Sequence, residues 1–270
     1  VLAEGLPATL GGPTGQYPTG ASAAVVAGDA FYYIVGEYRG TPASTLYALG
    51  VGADSTPVRV AGGLGRDGFP ATAISNPYDL VAHPEDGFLI SDGGRNALLW
   101  ARESGDVEEL VRFERRPHPD EQMRHRIDVV PSGITFGPDG ALYMASFTGN
   151  PYQRGFAVVY RITGIEGGGR PRAEVHAEGF SFATDVAFAP DGSMLVTEFT
   201  SDMARLVAEY GMDGAEELPG RLVRWHEGTM DVLVEGLVTP TGLAVVGDNA
   251  YVSEEYAGRI RKIPLDGLGR

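Results

Sequence analysis

PSGITFGPDGALYMAS, from Pro131 to Ser146, and ATDVAFAPDGSMLVTE, from Ala183 to Glu198, state one pattern twice. Each copy has a short apolar run, a Pro-Asp-Gly turn, a second apolar run, and a small or acidic residue at its end. Proline presets φ, aspartate bonds its own backbone and glycine accepts a positive φ, so the two runs fold back antiparallel as a β-hairpin.

Working outward, the hairpin recurs five times, each time followed by further strand-like runs. The first repeat has SAAVVAGDAFYYIVGE (Ser22 to Glu37), then STLYALG and PVRVAGGL. The second has NPYDLVAHPEDGFLISD (Asn76 to Asp92), then NALLWAR and VEELVRFE. The Pro131 and Ala183 hairpins open the third and fourth repeats, which continue with FAVVYRITG and AEVHAEGF, and with GRLVRWHEG and MDVLVEGL. The fifth has TPTGLAVVGDNAYVSE (Thr239 to Glu254) and GRIRKIPL, with no fourth run after it. VLAEGL at Val1 to Leu6 matches the fourth runs of repeats three and four, which predicts that the N-terminal strand closes the last repeat. Units of about 40 to 50 residues with four antiparallel strands are the signature of a β-propeller. A β-sandwich is the plainer alternative, but it predicts neither aligned four-strand units nor a strand shared between termini. The expected fold is therefore all-β: one β-propeller domain over residues 1–270, with five four-stranded antiparallel blades.

Composition narrows the partners. The chain has 270 residues, 39 Gly, 18 Pro and 43% apolar residues, so it is turn-rich yet apolar enough to bury a core. A formal charge of −15 argues against nucleic acid or an anionic membrane, since either needs a basic face. No run of about 18 apolar residues exists to cross a membrane. With no Cys, disulfides, zinc thiolates and thiol nucleophiles are excluded. The expected partner is a small molecule or another protein, and the expected state is a monomer. The chain starts at Val1 without a leader, so a signal peptide is expected to lie outside this sequence. No GxSxG elbow, HExxH, Walker loop or CxxC is present, which removes whole reaction classes.

NPYDLVAHPEDGFLISDGGRNALLW, PSGITFGPDGALYMASFTGNPYQRGFAVVYRI and TGLAVVGDNAYVSE resemble the ScyD/ScyE family, NHL-type propeller proteins associated with biosynthesis of the pigment scytonemin. More distantly the repeats are similar to gluconolactonase, regucalcin and strictosidine-synthase-like propellers. The resemblance implies a secreted or periplasmic protein. It also implies six blades where this chain offers five, so either the chain is a five-bladed version or one repeat is missing. It further implies a divalent cation at the top of the channel, as in similar propeller lactonases.

In a propeller the loops entering the first strand and leaving the second lie on the ligand face. Two columns of residues fall there. The strand-start column reads Ser22, Asp79, Gly133, Asp185 and Gly242, and the strand-end column reads Val35, Asp92, Ser146, Glu198 and Glu254. Carboxylates gathered at one depth repel one another unless something positive sits among them. A hard cation such as Ca²⁺ takes six to eight oxygen donors. Asp79, Asp185, Glu198 and Glu254 are accordingly the expected metal ligands, with Asp92 as a further ligand or catalytic base. The other reading stays open: these acids cap strand ends, accept backbone N–H groups, or pair with Arg39, Arg95 and Arg259.

Two insertions reach the same face. RRPHPDEQMRHR (Arg115 to Arg126) carries His118 and His125 and is long enough for a lid. TSDMARLVAEYGMDGAEELPG (Thr200 to Gly220) has apolar residues near helical spacing, which predicts a short helix. The GNPYQRG loop adds Asn150, Tyr152 and Arg154, and with Tyr38, Tyr78, Phe147, Phe182 and Tyr256 it is expected to form an aromatic rim for a flat organic ligand. Two functions follow from the sequence: metal-assisted chemistry on a small lactone or aromatic pigment precursor, or a non-catalytic binding or scaffold propeller.

Overall fold

The computed structural model describes residues 9–11, 17–36, 44–50, 56–62, 74–167 and 169–266. Val1 to Leu6, Tyr38 and Arg39 lie outside the described residues, and with them the expected closing strand. The structure is all-β, of the β-propeller class, built from five small antiparallel sheets. The chain divides into two compact units, Val1–Phe113 and Glu114–Arg270.

The N-terminal unit holds two four-stranded sheets. The first runs Ala21–Ala27, Ala30–Val35, Thr45–Gly50 and Val58–Gly62; the second runs Pro77–Ala82, Phe88–Asp92, Ala97–Ala101 and Val107–Arg112. A two-stranded ribbon, Thr9–Gly11 with Tyr17–Thr19, precedes them. Ile34, Leu46, Ile74, Leu80, Ile90 and Leu99 form the core where the two sheets meet.

The C-terminal unit begins with a short ribbon, Arg116–Pro117 paired with Arg126–Ile127. Its third sheet runs Pro131–Phe136, Leu142–Ser146, Ala157–Thr163 and Arg172–Phe180, and the fourth runs Ala183–Phe188, Met194–Glu198, Gly220–His226 and Thr229–Leu237. The fifth has Pro240–Val246, Asn249–Glu254 and Arg259–Pro264, with no fourth strand among the described residues. Within this unit the first strands of successive sheets touch one another.

The turns form for the reasons their residues supply. Asp139 Oδ1 accepts the Ala141 N–H at 3.2 Å and Gly140 sits at φ 77°; Asp191 Oδ1 accepts the Ser193 N–H at 3.0 Å and Gly192 sits at φ 84°. His83 does the corresponding work in the second sheet. It is 6% exposed, accepts the Glu85 N–H at 3.1 Å and stacks on Trp100 at 4.1 Å.

All five sheets share one irregularity. The pairing of first with second strand slips just after Ala21, Pro77, Pro131, Ala183 and Pro240. A bulge re-aims the side chain at the slip. In the third sheet the slip lets Ser132 Oγ donate to Ala183 O at 2.8 Å, and in the fourth it lets Thr184 Oγ1 donate to Pro240 O at 2.8 Å. Each hydroxyl thus ties its sheet to the next. The bulge also corrects the strand-start column: Ala21 pairs with Val35 and Ala23 with Ile34, so Ala23 occupies the place assigned to Ser22. The strand-end column keeps its register, since Asp92, Ser146, Glu198 and Glu254 face Pro77, Pro131, Ala183 and Pro240.

Candidate ligand cleft

The strand-end acids are buried and each closes a loop. Asp92 is fully buried, and its carboxylate accepts the N–H groups of Ser75 at 2.6 Å, Asn76 at 3.0 Å and Arg95 at 3.0 Å. Burial pushes its pKa up, against those three hydrogen bonds and the charge of Arg95. Glu198 accepts the Ser181 N–H at 2.7 Å on one oxygen and the Arg221 guanidinium on the other. Glu254 accepts the Val238 N–H at 2.7 Å and Arg259 Nε at 2.6 Å, with Arg261 at 4.0 Å. Burial alone would raise the Glu254 carboxyl; the hydrogen bonds from Arg259 and Val238 and the two arginine charges outweigh it and hold it low. In each case the acceptor reaches the residue two before its own first strand, so the acid fastens the start of the sheet to the end of its hairpin.

The arginine partners are positioned by register. Glu198 lies directly opposite Arg221, and Glu254 directly opposite Arg259. Gly220 cannot be any other residue without movement, because a Cβ there would lie 2.1 Å from Glu198 O and 2.7 Å from Pro240 Cδ. The third sheet has Ser146 instead of an acid and, by the same register, Val158 instead of an arginine; Ser146 Oγ simply donates to Val158 O and accepts its N–H, both at 2.9 Å.

Asp79 and Asp185 belong to the half-buried strand-start positions, one in each unit. Asp79 Oδ1 accepts the Leu80 N–H at 2.8 Å, and Asp185 Oδ1 accepts the Val186 N–H at the same distance. Asp185 Oδ2 also reaches the fifth sheet, accepting the Leu243 N–H at 2.6 Å. Gly133 is glycine to make room for it, since a Cβ there would lie 2.1 Å from Asp185 Oδ1. Among the described residues no three His, Cys, Asp or Glu side chains group as a metal site. Asp92, Glu198 and Glu254, with oxygens already spent on N–H groups and, for the two glutamates, on guanidinium groups, do not fit as ligands of a divalent ion.

An open cleft of about 260 Å³ lies at the loop end of the fourth sheet. Arg154, Ser181, Glu198, Thr200, Arg221 and Glu235 line it. Three segments singled out from the sequence meet here: the GNPYQRG loop gives Arg154, the hairpin end gives Glu198, and the insertion gives Thr200. Ser181 Oγ accepts the Gly155 N–H at 3.0 Å and Thr200 Oγ1 donates to Leu218 O at 2.6 Å, which fixes the two walls. Arg221 is held by Glu198, whereas Arg154 is exposed and has no ion pair among the described residues. Arg221, Ser181 and Glu235 escaped sequence reasoning. The available signal was the Gly-Arg pair that opens the third strand wherever the hairpin ends in glutamate, at Gly220-Arg221 and Gly258-Arg259.

Of the residues expected in the aromatic rim, Phe147, Tyr152 and Phe182 belong instead to a packed cluster, whereas Tyr256 is 41% exposed. Phe182 is fully buried and Phe199 is 7% exposed, and both are covered by Leu206 and Leu218 of the insertion, with Phe147, Tyr152, Met203 and Tyr210 around them. The insertion is helical from Met203 to Tyr210, started by Asp202, whose side chain accepts the Arg205 N–H, and it continues as a 3₁₀ turn over Met212–Glu217. Its apolar face closes on the phenylalanines, which leaves no flat ring open for a ligand there.

No family model and no curated protein matches the chain. Solved structures resemble it in fold. A putative oxidoreductase, a glucose dehydrogenase of Thermus thermophilus, superposes with a TM-score of 0.60 at 17% identity, over 93% of this chain and 81% of that one. A catalytically inactive virginiamycin B lyase of Staphylococcus aureus, solved with quinupristin, superposes with a TM-score of 0.50 at 15% identity, over 92% and 85%. A putative gluconolactonase superposes with a TM-score of 0.47 at 22% identity, over 71% and 60%.

Proposed function

We propose that this protein is an extracytoplasmic propeller that binds a small organic molecule, a lactone or an aromatic precursor, in the cleft beside Glu198. The observation that carries this reading is Arg154. In a chain where acids outnumber bases 36 to 21, it stands exposed at the cleft and makes no ion pair among the described residues. A guanidinium recognises a carboxylate or a polarised carbonyl oxygen with two parallel hydrogen bonds. The Glu198–Arg221 pair also lines the cleft and offers a second, compensated positive edge. Ser181, whose hydroxyl oxygen accepts the Gly155 N–H, has its proton to offer a polar ligand.

The scaffold reading finds less support. It requires apolar residues gathered on one face. The exposed Val58, Val175, Val232 and Ile260 each sit on the last described strand of a different sheet.

Calorimetric titration with a panel of lactones and their ring-opened hydroxy acids tests the proposal, with proton release followed in parallel for turnover. Binding of at least one compound is expected, about tenfold weaker or more in Arg154→Ala and partly restored in Arg154→Lys. A calcium arm belongs in the same experiment, since Ca²⁺ at Asp79 or Asp185 remains a proposal. A melting midpoint that Ca²⁺ leaves unmoved removes the cation, and ligand binding indifferent to Arg154→Ala removes the cleft.

A further inference from the structure

We propose that His118 and His125 form a peripheral two-imidazole site for a borderline divalent transition metal, apart from the cleft and from the carboxylate columns. The ribbon at the start of the C-terminal unit pairs Arg116 with Ile127 and Pro117 with Arg126. Continuing that register sets position 118 opposite position 125, and the two rings do meet, with centroids 4.8 Å apart and planes tilted by 56°. Cross-strand neighbours at this spacing can both reach one ion without moving the backbone.

The surroundings of His118 suit a ligand. Its Nδ1 accepts the Asp120 N–H at 3.0 Å and has Asp120 O at 3.3 Å. A metal-ligating histidine uses one nitrogen for the ion and donates the other N–H to a backbone carbonyl or carboxylate, which fixes its tautomer. With the ion on Nε2, the proton of His118 moves to Nδ1, and that nitrogen exchanges the N–H it accepts from Asp120 for a bond it donates to Asp120 O. His125 is exposed at the same tip, and Asp120 and Glu121 add negative charge there to offset Arg124 and Arg126.

The base of the ribbon is held in place. Arg116 donates to Phe156 O and lies over the Phe156 ring at 4.2 Å. Arg115 pairs with Asp128 at 2.7 Å, and Arg126 Nε donates to Arg115 O at 2.8 Å. The two imidazoles are therefore presented together before any ion arrives, which lowers the ordering cost of binding. Two nitrogen donors select a borderline ion over calcium or magnesium, and by the Irving–Williams order Cu²⁺ binds ahead of Ni²⁺ and Zn²⁺. Water completes the coordination.

Untagged full-length protein titrated with CuCl₂ and with ZnCl₂ tests this. One saturable site per chain is expected, with Cu²⁺ the tighter ion, weakened about tenfold or more by either His118→Gln or His125→Gln and unchanged by His226→Gln. Because a variant can disturb the ribbon, the wild-type chain is also followed by proton NMR: substoichiometric Cu²⁺ should broaden two of the five imidazole signals first. Equal loss in His226→Gln, broadening of all five together, or no saturable binding overturns the proposal.

Discussion

Glu254 shows what a strand-end acid does. It is 1% exposed, bonded to a backbone N–H and facing two arginines, so an amide in its place keeps the shape and loses the charge. Arg259 is about half in solvent, which screens the pair, so Glu254→Gln is expected to cost roughly 1–2 kcal/mol near pH 7 rather than the larger penalty of a fully buried pair. The sign with pH is fixed by the lowered pKa. A carboxyl that ionises more readily folded than unfolded stabilises above its unfolded value and loses that contribution as pH falls through its folded value. The gap between wild type and Glu254→Gln, measured by urea unfolding, should therefore close as pH is lowered from 7 towards 3. A gap that persists at low pH would mean the side chain matters for shape alone. The acids were visible in the sequence as a column and Arg95 and Arg259 as partners for them, but the particular N–H groups were not: those of Ser75, Ser181 and Val238 belong to the backbone and leave no trace in residue type.

At the scale of elements, the hairpins and their turns were readable because Pro-Asp-Gly chemistry is local and the repeat supplies five copies. The bulge at the beginning of each first strand was not, since one extra residue changes no composition, and that is why Ser22 was set one place out of column. The Thr200 to Gly220 insertion was readable as a helix from its apolar spacing. Its role was not, because the apolar stripe Met203, Leu206 and Tyr210 serves a helix over a ligand mouth as well as one seated on a core. The structure puts it on the core, covering Phe182 and Phe199. Replacing Met203 to Leu218 with a Gly-Ser link therefore exposes two phenylalanines and should lower stability by about 3 kcal/mol or more, at 1.5–3 kcal/mol for each large side chain returned to water. Thermal unfolding checks this: a midpoint within a degree or two of wild type would show that the phenylalanines close over by themselves.

At the scale of the whole chain, the response to acid depends on which groups change their proton affinity on folding. Besides Glu254, Asp139 and Asp191 are held low. For Asp139, burial works against the shift and the Arg161 hydrogen bond and charge overcome it; for Asp191, the Ser193 hydrogen bonds lead and Arg224 adds to them. Asp92 runs the other way. Asp139, Asp191 and Glu254, all held low, act on stability well below neutrality. Between pH 7 and 5 a different group is in play. His176 is half-buried, 4.7 Å from the Trp225 ring and 5.0 Å from Tyr143, and its pKa is lowered by burial first and by the charge of Arg161 second. As pH falls through about 6.5 the unfolded chain takes up a proton that the folded chain refuses, so stability is lost from there down to the folded value. His176→Phe keeps the ring contacts and removes the titration. Its melting midpoint should stay nearly flat between pH 7 and 5 where that of wild type falls, and both should then fall together below pH 4.5 as the carboxylates protonate. Parallel curves for the two proteins across pH 7 to 5 would show that the aromatic cluster around His176 accepts the protonated ring without cost.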